Sequence, residues 1–540
     1  MSVTYQKFFP YKTPRASQDS AIEFALESFS AGKRFVIIEA GTGVGKSAIG
    51  LTISQYVNSL DNELPEGITR GSWYITTQKV LQDQYIKDFG SAGMKTIKSS
   101  SNYMCSAKKG NTCSETQKLL KVEEKGTKLW KACSFNCHYK KDKEAFIEAS
   151  DSVTNFPYFL TEASYSGKIT PRELLIIDEA HNTEAELSKF VEIAVSERFV
   201  KTLIKTGFSN IRTQHQAYEW MKDIYYPKLS SHMKHIKTMM AKFSGIQGSI
   251  KKDFVNLSRQ LDLVSSHYQK IKTFLNIYDK ENWVFELLPG EDRKSRRIQF
   301  KPIDVSPYAD PVLFKFGQKV LMMSATILNK DAFCESLGIE TKDCAFVSLP
   351  TPFPAENRPV ITVSMGRMVQ SEIDTTLPKL VKGIKEILLE HKNEKGIIHA
   401  HSYKIANYIK HNIKDKRILI HDSSNREEVL RKHMSSKEPT VLLSPSMTEG
   451  VDLVDEASRF QIICKIPYPY LGDKLVKKRM NKWRWWYSLQ TAKTIVQSVG
   501  RSIRSESDFA VTYILDSDFS KFYYRNTYLF PESFRESMVS

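Results

Sequence analysis

No stretch of this chain approaches the roughly 18 consecutive apolar residues that a bilayer-spanning helix needs, so no membrane segment is expected. The N-terminus, MSVTYQKFFPYKTPR, has no apolar signal core. That predicts an intracellular protein, cytoplasmic if its source is prokaryotic or viral. Cysteine is scarce, at 7 of 540 residues, far below the density of a disulfide scaffold. In a reducing compartment such thiols serve as metal ligands or packing residues, not bridges. Internal repeats and low-complexity tracts are absent too, which excludes a repeat array.

Acidic residues are outnumbered, 61 against 78 lysines and arginines, for a formal net charge of +17. That excess favours polyanionic partners, nucleic acid before membrane, and a solvated lysine surface is the bland alternative. The length predicts two to four domains. With 41% hydrophobic and 26% charged residues, the composition is that of a folded chain.

RFVIIEA (34–40) is a short apolar, β-branched run that reads as a buried parallel strand. The runs at 72–77, 173–180, 319–326, 395–402, 439–446, 459–467 and 509–515 read the same way, and helical patterns separate several of them. This alternation predicts an α/β fold with two doubly wound parallel-sheet domains. Residues 190–305 break the rhythm. Leu229, Met233, Ile236, Met240 and Phe243, then Phe254, Leu257, Leu261, Val264, Tyr268, Ile271, Leu275 and Tyr278, recur at three- and four-residue steps. With GIQGS (245–249) between them, they predict an antiparallel helical hairpin.

AGTGVGKS (40–47) follows a strand and opens a helical pattern, the context of a phosphate-binding loop. Gly41, Thr42, Gly43 and Gly45 would shape the loop, Lys46 would reach the β/γ-phosphates, and Ser47 would ligate Mg²⁺. Ala40 replaces the first glycine of the usual pattern. In LLIIDEAHN a buried strand delivers Asp178, suited to Mg²⁺, and Glu179, suited to orienting the attacking water. Near the C-terminus, QSVGRSIR places Arg501 and Arg504 on one helical face, where guanidinium groups would meet a γ-phosphate; a solvated basic turn is the competing reading.

Four cysteines, Cys105, Cys113, Cys133 and Cys137, gather in a lysine-rich segment between TTQKVLQDQ and TNFPYFL. Neither pair has the two-residue spacing of a zinc knuckle. From spacing alone an iron–sulfur cluster and zinc stay level, with buried free thiols behind them. Cys334, Cys344 and Cys464 read as packing residues. KKRMNKWRWWY (477–487) reads either as a nucleic-acid contact or as a helix burying Trp483, Trp486 and Tyr487.

In this order the motifs resemble the XPD/DinG-type superfamily 2 helicases, the iron–sulfur-containing DEAH group. The resemblance runs from FPYKTPRASQ through AGTGVGKS, TTQKVLQDQ, SNYMC, TNFPYFL, DEAHN, MSAT, SPSMTEGVD and IPYPYLGD to QSVGRSIR. It implies two RecA-like motor domains, with a small iron–sulfur domain and a helical arch domain inserted in the first. It divides the chain into motor domain 1 (1–98, 151–189 and 306–335), an iron–sulfur domain (99–150), an arch (190–305) and motor domain 2 (336–540).

By the same resemblance Gln18 would read the adenine base, and Ser324 and Thr326 would couple hydrolysis to domain movement. Glu449, Gly450 and Asp452 would sit at the domain cleft, and Gln497, Arg501 and Arg504 would close on the γ-phosphate. Cys105, Cys113, Cys133 and Cys137 would hold a 4Fe–4S cluster, with ATP and Mg²⁺ as the other cofactors. The implied activity is an ATP-dependent DNA helicase moving 5′ to 3′ on single-stranded DNA, with forks or flaps as substrates, RNA–DNA hybrids as a further partner class, and a monomeric state. The alternatives are a translocase that displaces proteins or resolves hybrids, and a nucleotide-switched binding scaffold. Two departures stand out: Asp518 lies where the family places arginine, and Ala510 where it places glycine.

Overall fold

Every residue of the segments Phe35–Glu39 and Arg172–Asp178 is buried, a pattern that fits strands covered on both faces. The computed structural model describes residues 5–41, 43–120, 125–208, 210–242, 250–290, 295–421, 425–445, 453, 455–500, 503 and 508–539. Its strands are β1 (Phe35–Glu39), β2 (Thr69–Thr76), β3 (Lys95–Thr96), β4 (Asp151–Asn155), β5 (Arg172–Asp178), β6 (Ile193–Ser196), β7 (Trp283–Pro289), β8 (Arg296–Pro302) and β9 (Gly317–Ser324). There follow β10 (Cys344–Ser348), β11 (Val360–Thr362), β12 (Gly396–His399), β13 (Ile418–Ile420), β14 (Val441–Ser444), β15 (Phe460–Ile463), β16 (Val511–Ile514) and β17 (Met538–Val539).

The first sheet is parallel, in the order β10-β1-β9-β5-β2-β4-β3, and the second, also parallel, runs β13-β14-β12-β15-β16-β11-β17. Alternation along each strand fills two cores at once. Phe35 and Ile37 enter one cluster while Val36 and Ile38 enter the opposite one, and Leu175 and Ile177 divide from Leu174 and Ile176 in the same way. Each fully buried side chain of this kind contributes about 1.5–3 kcal/mol.

Two details differ from the sequence-based expectation. Strand β10 pairs with β1, so the first sheet takes its last strand from beyond residue 335, where motor domain 2 was expected to begin. The run CAFVS is too short, and too mixed, to declare its sheet. The insert at 190–305 is not purely helical: β6, β8 and β7 form a three-stranded antiparallel sheet beneath the hairpin. The helices Tyr226–Ala241 and Ile250–Ile277 do pack antiparallel, with Tyr226 stacked on Tyr268 and Ser265 against Met233. Leu229, Ile236, Val264 and Ile271 are buried along the seam. Phe243 and the GIQGS turn lie outside the described residues.

Between β3 and β4 the chain leaves the sheet for three short helices, Cys113–Leu120, Lys128–Phe135 and His138–Glu148. Among the described residues no helix is long and apolar enough to cross a membrane.

Candidate active site and cysteine cavity

The phosphate loop turns at Gly43 (φ 80°) and Gly45 (φ 86°), left-handed conformations that favour glycine. Gly45 is constrained a second time, because a Cβ there would stand 2.4 Å from Gln18 Nε2. The helix Lys46–Asn58 starts directly after it, so its free N–H groups face the loop. The Lys46 ammonium donates to the carbonyls of Ala40 and Gly41, at 3.1 and 3.3 Å. Gln18 lies buried behind the loop: its amide donates to Val44 O at 2.9 Å, and its oxygen accepts the Arg15 N–H at 2.9 Å.

Strand β5 ends on Asp178, and Glu179 then turns left-handed (φ 52°). Asp178 is held on both oxygens, by the Glu179 N–H at 2.9 Å and the Tyr85 hydroxyl at 3.1 Å. Burial, then the adjacent Glu179 charge, pushes its carboxyl up to about 6, against the pull of Lys46. His181 Nδ1 lies 2.7 Å from Ser324 Oγ and 3.3 Å from Glu179 Oε2. It therefore ties the end of β5 to the end of β9. The Ser324 hydroxyl also accepts the Thr326 N–H at 3.1 Å.

Gly41, Lys46, Ser47, Asp178, Glu179 and Thr326 line a cleft of about 650 Å³, and Gln497 and Gly500 line it from the second sheet's domain. That size suits a nucleotide-class ligand. Gln497 Nε2 donates across it to Thr326 Oγ1 at 3.1 Å. Thr42, Glu449, Gly450, Asp452, Arg501 and Arg504 lie outside the described residues. Sequence reasoning gave no role to Tyr85, His181 or Glu39. His181 had a signal in its place after DEA; Tyr85 and Glu39 sit in ordinary helix and strand text.

Cys105, Cys113, Cys133 and Cys137 line one cavity. A small turn closed by the Met104–Thr112 bridge brings the first two together, and the Cys113 and Cys137 sulfurs are 4.0 Å apart. Burial and the neighbouring Cys137 push the Cys113 thiol up to about 12. Among the described residues no group of three His, Cys, Asp or Glu side chains is placed to hold a metal ion. The donors are four sulfurs around a shared space, chemistry suited to a thiolate-bound cluster.

The segment 477–487 serves the contact between domains. Arg479, buried, donates to Ile303 O at 2.9 Å and pairs with Glu184 at 2.7 Å. Lys482 pairs with Asp304 at 2.5 Å, and Trp485 Nε1 donates to Glu335 at 2.9 Å. Trp483 and Trp486 are buried and Tyr487 stacks on Tyr468. Asp518, where the family places arginine, takes Arg367 Nε at 2.8 Å. Cys334, Cys344 and Cys464 are buried, as packing residues would be.

Comparison with known proteins agrees across both halves. Residues 386–537 match the helicase C-terminal domain family, and residues 11–210 match the family of the type III restriction enzyme res subunit. A probable ATP-dependent helicase of Methanocaldococcus jannaschii is 22% identical, over 95% of this chain and 93% of its own length. The ATP-dependent DNA helicase DinG of Photobacterium profundum is 26% identical over 41% of this chain and 34% of its own. In fold, a solved XPD helicase superposes with a TM-score of 0.65 at 15% identity, covering 98% of this chain and all of that one. Family models on both parts of the chain and helicase relatives along most of its length support an ATP-dependent helicase similar to the XPD/DinG type, whose fold it shares.

Proposed function

We propose that this helicase acts on DNA, moving 5′ to 3′ along a single strand and unwinding the duplex ahead, with ATP hydrolysed between the two motor domains. The observation that carries the reading is the Gln497–Thr326 hydrogen bond spanning a cleft built from both domains. Lys46 would exchange the Ala40 and Gly41 carbonyls for phosphate oxygens, neutralising charge as it develops. Ser47 and Asp178 would hold Mg²⁺, and Glu179, oriented by its left-handed backbone and His181, would align the attacking water. Arg501 and Arg504 would meet the γ-phosphate. Gln18 would act at the base side of the loop that it already supports. Opening and closing of the cleft would then drive the strand past the first domain.

Cys105, Cys113, Cys133 and Cys137 would hold a 4Fe–4S cluster, a reading supported by four thiols lining one cavity. Bound, that cluster supplies a rigid cross-link among three short helices. Lys108, Lys109, Lys128, Lys131, Lys140 and Lys141 would then present positive charge to a displaced strand. Forks or flaps, and RNA–DNA hybrids as a further class, are the substrates this arrangement fits. A monomer is the working form.

The test combines chemistry and direction. Protein purified without oxygen should carry roughly four iron and four sulfide per chain, and should unwind a 5′-tailed duplex in preference to a 3′-tailed one. Zinc without sulfide would remove the cluster, and preference for the 3′ tail would overturn the polarity.

A further inference from the structure

Glu39 is a buried carboxylate to which the reading above gives no task. It ends β1, 7% exposed, and lines the nucleotide cleft one residue before the phosphate loop. Both of its oxygens are engaged. The Leu328 N–H donates to Oε1 at 2.6 Å, and the Ser348 hydroxyl donates to Oε2 at 2.9 Å. The Ile327 N–H also faces it.

These partners are not arbitrary pieces of chain. Ser348 ends β10, the last strand before the chain passes into the second motor domain. Leu328 is held at φ 63°, a left-handed conformation costly for a branched side chain. Such strain persists only where the surroundings fix it. The Leu328 side chain packs against a cluster drawn mainly from the second domain, in which Ile463, Leu489 and Ile495 join Ala332 of the first. Two residues earlier, Thr326 receives Gln497 from the second domain. One carboxylate of the first domain therefore clamps the short segment 326–328, both ends of which touch the second domain.

We propose that Glu39 is a positioning residue for nucleotide hydrolysis. Through the Leu328 and Ile327 N–H groups it fixes Thr326 as the seat for Gln497, so that the phosphate loop and the interdomain contact move as one body. This rests on the ATPase reading above. Ala40, its neighbour, carries the same coupling along the backbone: its N–H donates to Ser324 O at 2.8 Å, and its carbonyl accepts Lys46.

Glu39→Ala and Glu39→Gln test this, with fluorescent-nucleotide binding, single-strand-stimulated turnover, and deuterium exchange of residues 325–329 with and without a non-hydrolysable ATP analogue. Glu39→Gln should stay near wild type, because its amide oxygen accepts the Leu328 N–H and the Ser348 hydroxyl can turn to accept the amide. Glu39→Ala should bind nucleotide within about threefold and hold KM, yet lose on the order of 10- to 100-fold in kcat, the cost of a small misplacement at an active group. It should also lose the analogue-dependent protection of 325–329. Wild-type kcat and protection in Glu39→Ala would overturn the proposal. So would equal loss of nucleotide binding in both variants, which would make Glu39 a direct ligand. Absent turnover in the wild type would sink the ATPase reading instead, and the exchange response to bound analogue would still decide the role of Glu39.

Discussion

The Gln497 amide of the second motor domain donates to the Thr326 hydroxyl of the first at 3.1 Å, and Thr326 is buried. A hydrogen bond across a cleft is where two rigid bodies report on one another, so its loss should affect turnover before affinity. Gln497→Ala is expected to leave nucleotide affinity within about threefold and to lower strand-stimulated turnover on the order of 10- to 100-fold. Steady-state kinetics beside equilibrium nucleotide binding separates the two effects. Unchanged turnover would show that the bond is incidental to closure.

Lys46 rests on two carbonyls of its own loop. Lys46→Ala should abolish ATP hydrolysis while single-strand binding stays within about threefold, because Lys46 lies inside the cleft between the domains. Hydrolysis at near wild-type rate would remove the loop from the active site.

Gly45 combines a left-handed backbone with the closest approach of Gln18. Gly45→Ala is expected to cost about 1–2 kcal/mol from the backbone alone, lowering the melting temperature by a few degrees. It should also weaken nucleotide binding by about tenfold or more, since the loop must shift away from Gln18. A variant with native melting and native affinity would refute both constraints.

His433 is fully buried, with Nε2 against Ala457 O at 2.8 Å and Nδ1 against Thr440 Oγ1 at 2.8 Å. Burial holds its pKa down at about 4, against about 6.5 when exposed. Between those values the unfolded chain binds a proton that the folded chain refuses. The stabilisation is therefore complete above pH 6.5 and is lost as pH falls toward 4. His401, held at about 4 by burial and by Lys465, acts in the same direction. Melting curves of the wild type and His433→Asn at pH 7.5, 6 and 5 should show the gap between them narrowing as the pH falls. A constant gap would contradict the assignment.

Cys113 faces Cys137 in the shared cavity. Cys113→Ser should retain ATP turnover and lose most duplex unwinding, with iron content falling in parallel. Full unwinding by iron-depleted protein would detach the cysteine cavity from the mechanism.

Much of this was written locally. The apolar runs FVII before AGTGVGKS and LLII before DEAHN announce their sheet, because parallel strands buried on both faces are mostly apolar. The antiparallel hairpin was equally legible, since its seam repeats over many turns. The short strands CAFVS, VIT and MV were not legible, nor was the small sheet under the hairpin, because none of those segments is an apolar run leading into a recognisable motif. The reading of 477–487 stayed open for a different reason: whether Arg479 meets a strand of DNA or the carbonyl of Ile303 depends on a partner 176 residues away.

By itself, then, the sequence determined the two parallel-sheet domains, the glycine-rich loop after β1 and the place of Asp178 and Glu179 at the end of β5, since each rests on contiguous residues with a local physical meaning. Tertiary structure alone decided that Tyr85 braces Asp178, that His181 joins two strand ends, and that Glu39 grips Leu328. Those relations join groups 93 to 289 residues apart, and no local pattern encodes a distance that folding alone brings down to a hydrogen bond.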